Sequence, residues 1–346
     1  MSPATSIDSL QAALEQANPA LRRTDGQARG RLLGELVRDG LAALPRPSAG
    51  QTLMRWRALA CVASHDLSLV KLYEGHTDAL AILAEAGMPD PSPGQTWGMW
   101  AAEPPDARVT FVETGHDTCR LHGLKAWCSG ARHLDRALLT VWSTDGRGPW
   151  LASVSMRDPG ISLQDGHWLA DGMSATETVD LRFDGAVARL VGAERFYLTR
   201  PGFWQGGAGI AACWHGGATV VAQALRQRVH AAREPGWHLL VALGSIDKAL
   251  AANAALLREA AAWIDANPAA DARLIATRTR VNADEVSQEV VREVGRALGA
   301  GPLCQDVALS RMATDLPLFI RQCHADRDLC ALGACVGQLE HAPWHL

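Results

Sequence analysis

Residues 321–328, which read RQCHADRD, form the densest cluster of titratable side chains in the sequence. His324 is the candidate acid or base, because the ordinary pKa of histidine lies close to physiological pH and suits proton transfer. An equal alternative is structural, since His324 and Asp328 are four residues apart and can pair along one helix face. For Asp326 and Asp328 the structural alternative is favoured, because acidic residues stabilise the start of a helix.

Residues 123–131, which read GLKAWCSGA, form a second candidate site at the end of a predicted strand. The face of Trp127 can cover a planar ring system. Ser129 and the nearby backbone N–H groups can form hydrogen bonds with ring heteroatoms. The structural alternative is a buried tryptophan in a tight turn, and these residues taken alone favour it.

A third pattern, GAGIAA at residues 207–212, fits a loose dinucleotide-binding fingerprint. That fingerprint needs a strand directly before it and an acidic residue about 20 residues later. Arg200, Pro201 and Gly202 precede the pattern, so no strand fits, and we interpret it as small residues for close helix packing. The sequence contains no GxSxG elbow, Walker loop or HExxH helix.

The composition excludes several classes of protein. The 346 residues include 33 Lys+Arg and 37 Asp+Glu, and the resulting net charge of −4 argues against a nucleic-acid-binding scaffold. Hydrophobic residues make up 48% of the chain, which excludes disorder for most of it. The 12 tryptophans, against 5 phenylalanines and 2 tyrosines, suggest an aromatic-lined cavity or interface, with ordinary packing as the alternative.

The sequence predicts a cytoplasmic protein with reduced cysteines. Residues 1–18 lack a basic start followed by a long apolar run, so we predict no signal peptide. The apolar stretch at residues 208–221 is short and interrupted by glycine and histidine, which predicts no membrane-spanning helix. The 8 cysteines include no CxxC pair, so we predict free thiols and no metal site.

Helical periodicity predicts two helical regions. Towards the N-terminus, apolar residues recur at helical spacing in residues 32–37 and 67–86. Towards the C-terminus, two long apolar stripes cover residues 249–264 and 286–298. The two helical regions flank a stretch of different character.

The middle of the chain predicts a compact β module. It begins after the turn at residues 91–94, which reads PSPG, because short β-type runs separated by turn residues follow there. The runs are residues 108–112, 137–143, 150–156 and 178–183. The order along the chain is therefore helices, a β module and long helices.

Three elements taken in chain order carry a resemblance to a known family. They are GxKxWxSG at residues 123–130, GMxAT at 172–176, and GAG at 299–301 followed by DLPLF at 315–319. Together they resemble the acyl-CoA dehydrogenase family of FAD flavoproteins. The resemblance covers about residues 30–333.

The resemblance implies an α+β multidomain fold. It comprises a helical N-terminal domain at residues 1–94, a middle β-barrel-like domain at 95–191 and a C-terminal four-helix bundle at 192–346. Members of the family share FAD across a subunit interface. The resemblance therefore also implies a homodimer or a homotetramer.

The resemblance implies which residues contact FAD. The Trp and hydroxyl of the family motif match Trp127 and Ser129 and contact the isoalloxazine, while Arg233 matches an arginine that reaches the pyrophosphate of a neighbouring subunit. A guanidinium suits that role because it binds phosphate oxygens in pairs. The implied cofactor-binding residues are Met99, Ala102, Trp127, Ser129, Arg233, Arg296, Gly299 and Gly301.

The sequence departs from the family at the catalytic position. The glutamate that removes the α-proton is matched by Cys323, and the following glycine by His324. We name Cys323 and His324 as catalytic candidates, with a thiolate paired to the imidazole as one form of the base. Ala102 replaces a threonine that contacts the flavin, and Arg296 replaces a glutamine of the glycine-rich turn.

Three functions stay open. The resemblance first implies an FAD-dependent oxidoreductase acting on a CH–CH bond of an acyl thioester such as an acyl-CoA. The alternative is a flavin-dependent monooxygenase or oxidase, because HxxxD at residues 324–328 resembles a segment of such enzymes on this fold. The third is a non-catalytic homologue that binds an acyl group or a partner. We expect a small-molecule substrate and neither nucleic acid nor membrane as partner.

Overall fold

The structure is a computed structural model that describes residues 6–17, 25–88, 93–165 and 168–344. The described chain divides into two compact units. The first unit, unit 1, comprises residues up to 44 together with 68–203, and unit 2 comprises residues 45–67 together with those from 204 onwards. Pro91 and Ser92 of the predicted boundary turn, and part of the N-terminal region, lie outside the described residues.

The helices follow the predicted periodic segments. The predicted stripes at residues 67–86, 249–264 and 286–298 are confirmed as parts of three long helices. In chain order the helices are α1 (Ile7–Ala17), α2 (Gly26–Arg38), α3 (Thr52–His65), α4 (Leu67–Glu85), α5 (Phe196–Thr199), α6 (Gly202–Gly207), α7 (Ile210–Ala231), α8 (Trp237–Ala266), α9 (Arg273–Leu298), α10 (Ala300–Gln305), α11 (Val307–Phe319) and α12 (Asp326–Gly337).

The strands all lie in unit 1, and the four predicted runs are confirmed as strands. The two four-residue strands, and the bounds of the long strand that precedes Ser129, were not predicted from the sequence. In chain order the strands are β1 (Trp97–Trp100), β2 (Val109–Gly115), β3 (Thr118–Cys128), β4 (Arg136–Ser143), β5 (Trp150–Ser155), β6 (Ile161–Gln164) and β7 (Val179–Val191).

Five of these strands close into a barrel, in agreement with the predicted barrel-like module. β2 pairs with β3, β3 with β7, β7 with β5 and β5 with β4, all antiparallel, and the parallel pair of β2 with β4 closes the ring. β1 adds to β4 and β6 adds to β7. Closure removes free sheet edges and fixes the ends of β3 and β7 next to each other.

The core of unit 1 lies where α4 packs near β1, β4 and β5. Buried apolar side chains from these elements and from the end of β7 form one cluster. Its fully or almost fully buried members are Ala79, Ile82, Leu83, Trp97, Leu138, Leu151 and Val191. Trp97 is thus one of the 12 tryptophans whose role is ordinary packing.

Unit 2 is helical. α7 packs against α3, α8, α9 and α11, and α12 packs against α9. α3 therefore belongs with the C-terminal helices, although the sequence predicted it as part of an N-terminal domain. The predicted boundaries after residues 94 and 191 divide the chain more finely than the two observed units and stay a prediction.

α8 is more apolar than the sequence analysis recognised. Among the described residues it is the helix long and apolar enough to cross a membrane by length and composition alone. A packed core helix meets the same criterion. α8 buries Asn253, whose amide contacts His215 at 3.0 Å and accepts a hydrogen bond from Asn282 at 2.9 Å. Such a satisfied polar network suits a helix inside a bundle.

Candidate functional site

Trp127 stands at the end of β3 with its indole half-exposed. Its φ of 58° is left-handed, and 52% of the residue is exposed. The Trp127 N–H donates to Oδ1 of the buried Asp180 on β7 at 3.0 Å, which holds this strained backbone in place. The tryptophan is therefore not the buried packing residue of the structural alternative.

Ser129 begins a chain of three hydroxyl groups. Its Oγ lies 2.9 Å from Oγ1 of Thr178, which in turn lies 2.7 Å from Oγ1 of Thr176. Thr176 donates to the carbonyl oxygen of Met173 at 2.7 Å. Thr176 and Thr178 are buried, and Ser129 is partly exposed at the outer end of the chain.

The backbone donors around Ser129 are already used. The Ser129 N–H donates to the Trp127 carbonyl at 3.1 Å, and the Gly130 N–H donates to the Thr176 carbonyl at 2.9 Å. Trp100 Nε1 donates to the Ser129 carbonyl at 3.2 Å. The prediction that nearby backbone N–H groups bind ring heteroatoms therefore needs correction: the indole face and the Ser129 hydroxyl are the groups left to meet a ligand.

Glu177, between the two threonines, clasps two other segments. Its φ of 44° is left-handed. Its Oε1 accepts a hydrogen bond from the N–H of Gly26, the first residue of α2, at 3.0 Å. Its Oε2 lies 2.8 Å from Nε2 of His133 in the loop after β3. A carboxylate at the N-terminus of a helix is favourable. We call these two contacts of Glu177 the Glu177 clasp, and they fix the loop that carries Thr176 and Thr178 to α2.

Two glycines of α2 make room for the clasp. A Cβ atom at Gly26 would lie 2.5 Å from the Glu177 side chain, and one at Gly30 would lie 2.4 Å from Cβ of His133. Glycine in a helix costs about 1 kcal/mol relative to alanine. Residues four apart share one helix face, so α2 presents a glycine-lined face to Glu177 and His133.

The loop after β1 is held by an ion pair to a buried lysine. Glu103, next to the predicted flavin contact Ala102, lies 3.5 Å from Nζ of the fully buried Lys125. Thr140 Oγ1 donates to Glu103 at 2.5 Å, and Trp142 Nε1 donates to it at 2.9 Å. Burial lowers the pKa of Lys125, and the charge of Glu103 opposes that shift.

Met99 lies on β1 and is partly buried. It packs against the core cluster of unit 1. Its predicted role beside the flavin stays a prediction, and the contacts of its side chain are those of a packing residue.

Cys323 is a packed thiol. It is 2% exposed and its Sγ donates to Oδ2 of Asp328 at 3.5 Å. Burial raises the pKa of Cys323 to about 11, and the nearby carboxylates of Asp284 and Asp328 add to that rise. The thiol therefore keeps its proton at neutral pH, which disfavours its predicted role as a base.

His324 has an exposed side chain in the same segment. Its Nδ1 lies 3.6 Å from Oδ1 of Asp328, and 60% of the imidazole side chain is exposed. The Asp328 carboxylate also accepts the His324 backbone N–H at 3.1 Å. Asp328 thus stabilises the first turn of α12, as the structural alternative predicts, and the imidazole stays accessible to solvent.

The segment before Cys323 is tied to α9. Arg321 pairs with the buried Asp284 at 2.5 Å, and Arg280 donates to the carbonyl of Gln322 at 2.8 Å. Burial raises the pKa of Asp284, while Arg321 opposes that shift. These contacts fix the backbone that leads to His324.

The predicted phosphate-binding residues of unit 2 lie near the C-terminal end of two helices. Arg233 follows α7 and is exposed. Arg296 pairs with the buried Glu293 at 2.5 Å, and Arg292, which sequence analysis missed, pairs with the same carboxylate at 2.5 Å. Two guanidinium groups on one carboxylate leave a net positive charge there.

The predicted glycine turn follows α9 directly. Gly299 ends the helix with a φ of 69°, a left-handed conformation that favours glycine. At Gly301 a Cβ atom would meet nothing within 4 Å. The open backbone there is compatible with a close approach by a ligand, and its predicted contact with FAD stays a prediction.

Several solved structures resemble the whole of this chain. The match to KijD3, solved in complex with FMN and a dTDP-linked amino keto sugar, covers 99% of this chain and 96% of KijD3, with a TM-score of 0.80 and 20% identity. The dibenzothiophene monooxygenase TdsC from Paenibacillus sp. A11-2 matches over 97% of this chain and 98% of its own, with a TM-score of 0.80 and 18% identity. TdsC was also solved with FMN and indole.

Butyryl-CoA dehydrogenase from Megasphaera elsdenii also matches. The match covers 96% of this chain and 98% of that enzyme, with a TM-score of 0.80 and 14% identity. The chain has the acyl-CoA dehydrogenase fold. No family model matches the sequence, and no curated protein matches it.

Within the acyl-CoA dehydrogenase fold of this chain, each unit brings part of the predicted set together. Unit 1 places Trp127 and Ser129 side by side, and unit 2 places Cys323 and His324 around Asp328. The contacts that hold Trp127 and Ser129 were not predicted from the sequence. They are the hydrogen bond from the Trp127 N–H to Asp180 and the contact of Ser129 with Thr178.

One signal in the sequence points to the missed clasp. Gly26 and Gly30 are four residues apart on a predicted helix, where glycine is unfavourable unless another group approaches closely. The approaching group, Glu177, lies 151 positions away from Gly26 in the sequence. Spacing alone could not name it.

Proposed function

We propose that this protein is a flavin-dependent oxidoreductase. The observation that carries the proposal is the half-exposed indole of Trp127, held in a left-handed backbone beside the Ser129 hydroxyl. An aromatic face with one polar group at its edge suits a planar heteroaromatic ring. The presence of FMN in the similar structures of KijD3 and TdsC supports the same proposal.

The residues present fit such a cofactor. Trp127 offers a stacking surface, and Ser129 offers the polar group for a ring heteroatom. Arg233, Arg292 and Arg296 are exposed cations of the kind that bind phosphate oxygens. The resemblance of the sequence favours FAD, whereas the similar KijD3 and TdsC structures hold FMN, so both flavins belong in the test.

A bound flavin supplies hydride transfer and, once reduced, reaction with molecular oxygen. The protein supplies the surroundings: Trp127 would orient the ring and Ser129 would bind its edge, while His324 is the candidate acid or base for proton transfer. Asp328 accepts the backbone N–H of His324 and so fixes the position of its backbone, while the imidazole ring stays exposed.

We propose a monooxygenase or oxidase reaction ahead of acyl-CoA dehydrogenation. A dehydrogenase of this fold needs a strong base, and the Cys323 thiol at the matching position is buried, with its pKa raised to about 11. His324, one residue later, is accessible and suits proton transfer. Acyl-CoA dehydrogenation is the second candidate, supported by the match to butyryl-CoA dehydrogenase.

The test begins with the absorbance spectrum of the purified full-length protein, before and after addition of FMN or FAD. Flavin bound in either case supports the proposal, and no binding of either flavin contradicts it. Under anaerobic conditions, butyryl-CoA bleaches the bound flavin only in the dehydrogenase case. Oxygen consumption that depends on supplied reduced flavin supports the monooxygenase or oxidase case.

The oligomeric state is a further proposal. The sequence resemblance favours a homodimer or homotetramer, with Arg233 reaching the cofactor of a neighbouring subunit. Light scattering of the purified protein measures the state directly, and a monomer at working concentration contradicts it. Arg233→Gln would then weaken flavin binding without changing the subunit number.

A further inference from the structure

The three hydroxyl groups next to Trp127 have a defined direction. Each hydroxyl can donate one hydrogen bond and accept two. The carbonyl oxygen of Met173 can only accept, so the 2.7 Å contact fixes Thr176 as its donor. Thr176 is 1% exposed, and water does not compete for that hydrogen.

The direction passes outwards from Thr176. Because Thr176 has given its hydrogen to Met173, it can only accept in the 2.7 Å contact with Thr178. Thr178 must therefore donate to Thr176, and it has no hydrogen left for the 2.9 Å contact with Ser129. Ser129 consequently donates inwards to Thr178.

Ser129 is left as an acceptor towards any ligand. Its single hydroxyl hydrogen points into the protein, and its free lone pairs point away from Thr178. Its backbone cannot take over the role of donor, because the Ser129 N–H is bonded to the Trp127 carbonyl. A ligand beside the indole must therefore supply an N–H or O–H group that donates to the Ser129 oxygen.

An isoalloxazine changes its own hydrogen-bonding role with its redox state. The central-ring nitrogen N5 accepts hydrogen bonds in the oxidised form. On two-electron reduction with uptake of a proton, N5 carries a hydrogen and donates. An acceptor that faces N5 therefore matches the reduced form and leaves the oxidised form without its donor.

We propose that Ser129 faces N5 of a bound flavin, and that the chain from Ser129 through Thr178 to Thr176 then makes this site prefer reduced over oxidised flavin. Ser129 is the contacting residue, and the two threonines are positioning residues that set which way its hydrogen points. This inference rests on the proposed function and deepens it. A monooxygenase that receives its flavin already reduced would gain from such a preference.

The experiment measures the midpoint potential of FMN and of FAD, each bound to the full-length protein and reduced by dithionite against reference dyes. Thr176→Val removes the hydroxyl that takes the hydrogen of Thr178. Thr178 then donates to Ser129, and Ser129 turns its own hydrogen towards the ligand. We expect the ratio of affinities for reduced and oxidised flavin to fall about tenfold, which is about 30 mV for two electrons.

Two further variants predict an order of midpoint potentials that a simple loss of packing would not produce. Ser129→Ala removes the contact, and Thr178→Val frees Ser129 to donate or accept, so both should lie between wild type and Thr176→Val in potential. Thr114→Val is the control, because Thr114 and Thr118 form another hydroxyl pair of unit 1 at 3.4 Å on an exposed hairpin. Its potential should equal that of wild type.

The outcomes separate the two proposals. If neither flavin binds, the proposed function fails and this inference fails with it. If flavin binds and Thr176→Val, or Thr178→Val should that variant not fold, leaves the potential unchanged or raises it, the inference alone is overturned. Combining Ser129→Ala with Thr176→Val should lower the potential no further than Ser129→Ala alone, since the threonine acts through the serine.

Discussion

Two histidine–carboxylate pairs, one in each unit, show how differently the same chemistry can be used. In unit 1, Nε2 of His133 lies 2.8 Å from Oε2 of Glu177, and the two side chains are 16% and 31% exposed. In unit 2, Nδ1 of His324 lies 3.6 Å from Oδ1 of Asp328, and the imidazole is 60% exposed. The first pair is closed by direct contact, and the second leaves its imidazole open.

The surroundings explain the difference. Glu177 adopts left-handed backbone, bonds to the N-terminus of α2 and lies against the glycines of that helix. Backbone strain and helix glycines both lower stability. Because the chain keeps both here, we interpret the pair as a structural contact that positions the loop of the hydroxyl chain. Oδ2 of Asp328 accepts both the His324 backbone N–H and the Cys323 thiol, while Oδ1 lies 3.6 Å from the imidazole, which stays mostly exposed.

The largest effect should come from the open pair. His324→Gln is expected to lower oxygen-dependent turnover of the flavin-loaded protein about a hundredfold, because general acid–base catalysis is lost. Its free energy of unfolding should change by less than about 0.5 kcal/mol, as for an exposed side chain. Steady-state oxygen consumption and urea unfolding measure the two quantities, with His341→Gln as the exposed-histidine control.

Disturbing the packing around the closed pair should lower the free energy of unfolding. Gly30→Ala places a Cβ atom 2.4 Å from Cβ of His133, and we expect a loss of about 2 kcal/mol in urea unfolding. Gly34→Ala on the same helix meets only the flexible end of Arg38 at 3.2 Å and should gain about 1 kcal/mol from helix propensity. Equal effects of the two substitutions would contradict the close packing of α2 on His133.

At alkaline pH the buried thiol of Cys323, beside the open pair, should lower the free energy of unfolding, whereas an exposed thiol should not. Burial raises the pKa of Cys323 from its usual 9.0 to about 11. The folded state therefore holds the proton more tightly, and this stability is present below pH 9 and lost as the pH rises through about 11. Cys323→Ala should reduce the loss of unfolding free energy over that range by about 1 kcal/mol, and the exposed Cys304→Ala should leave it unchanged.

The smallest effects should differ in sign between the two units. Ala325 precedes α12 with a φ of 44°, and Ala325→Gly should gain about 0.5 kcal/mol by relief of strain. Glu177→Gly relieves a φ of 44° as well but removes the contacts to Gly26 and His133, so a net loss of about 1 kcal/mol is expected. A gain at both positions would show that the Glu177 clasp contributes nothing to stability.

Much of the fold was predictable from the sequence. The period of apolar residues predicted the long helices, and alternation and turn residues predicted β2, β4, β5 and the start of β7. These signals are local, because helices and strands repeat every few residues. The membership of α3 in unit 2 was not predictable, because packing partners depend on contacts far apart in the chain.

The candidate site was predictable only in its exposed members. Trp127, Ser129 and His324 were named from residue type and motif, and the structure gives each an accessible position. Cys323 shows the opposite outcome, since a cysteine beside a histidine suggests a reactive thiol, whereas burial keeps it protonated. Side-chain burial is set by neighbours from other helices, and the local sequence does not contain it.

By itself, the sequence determined the order of a helical region, a β module and a second helical region. It also gave the acidic composition that argues against a nucleic-acid scaffold, and the motif residues at the end of β3 and before α12. The tertiary structure alone decided which of those residues are constrained. Barrel closure brings the ends of β3 and β7 together, so Ser129 meets Thr178 and its hydrogen acquires a direction. Hydrogen-bond direction depends on the whole chain of partners, and those partners are adjacent in space and distant in sequence.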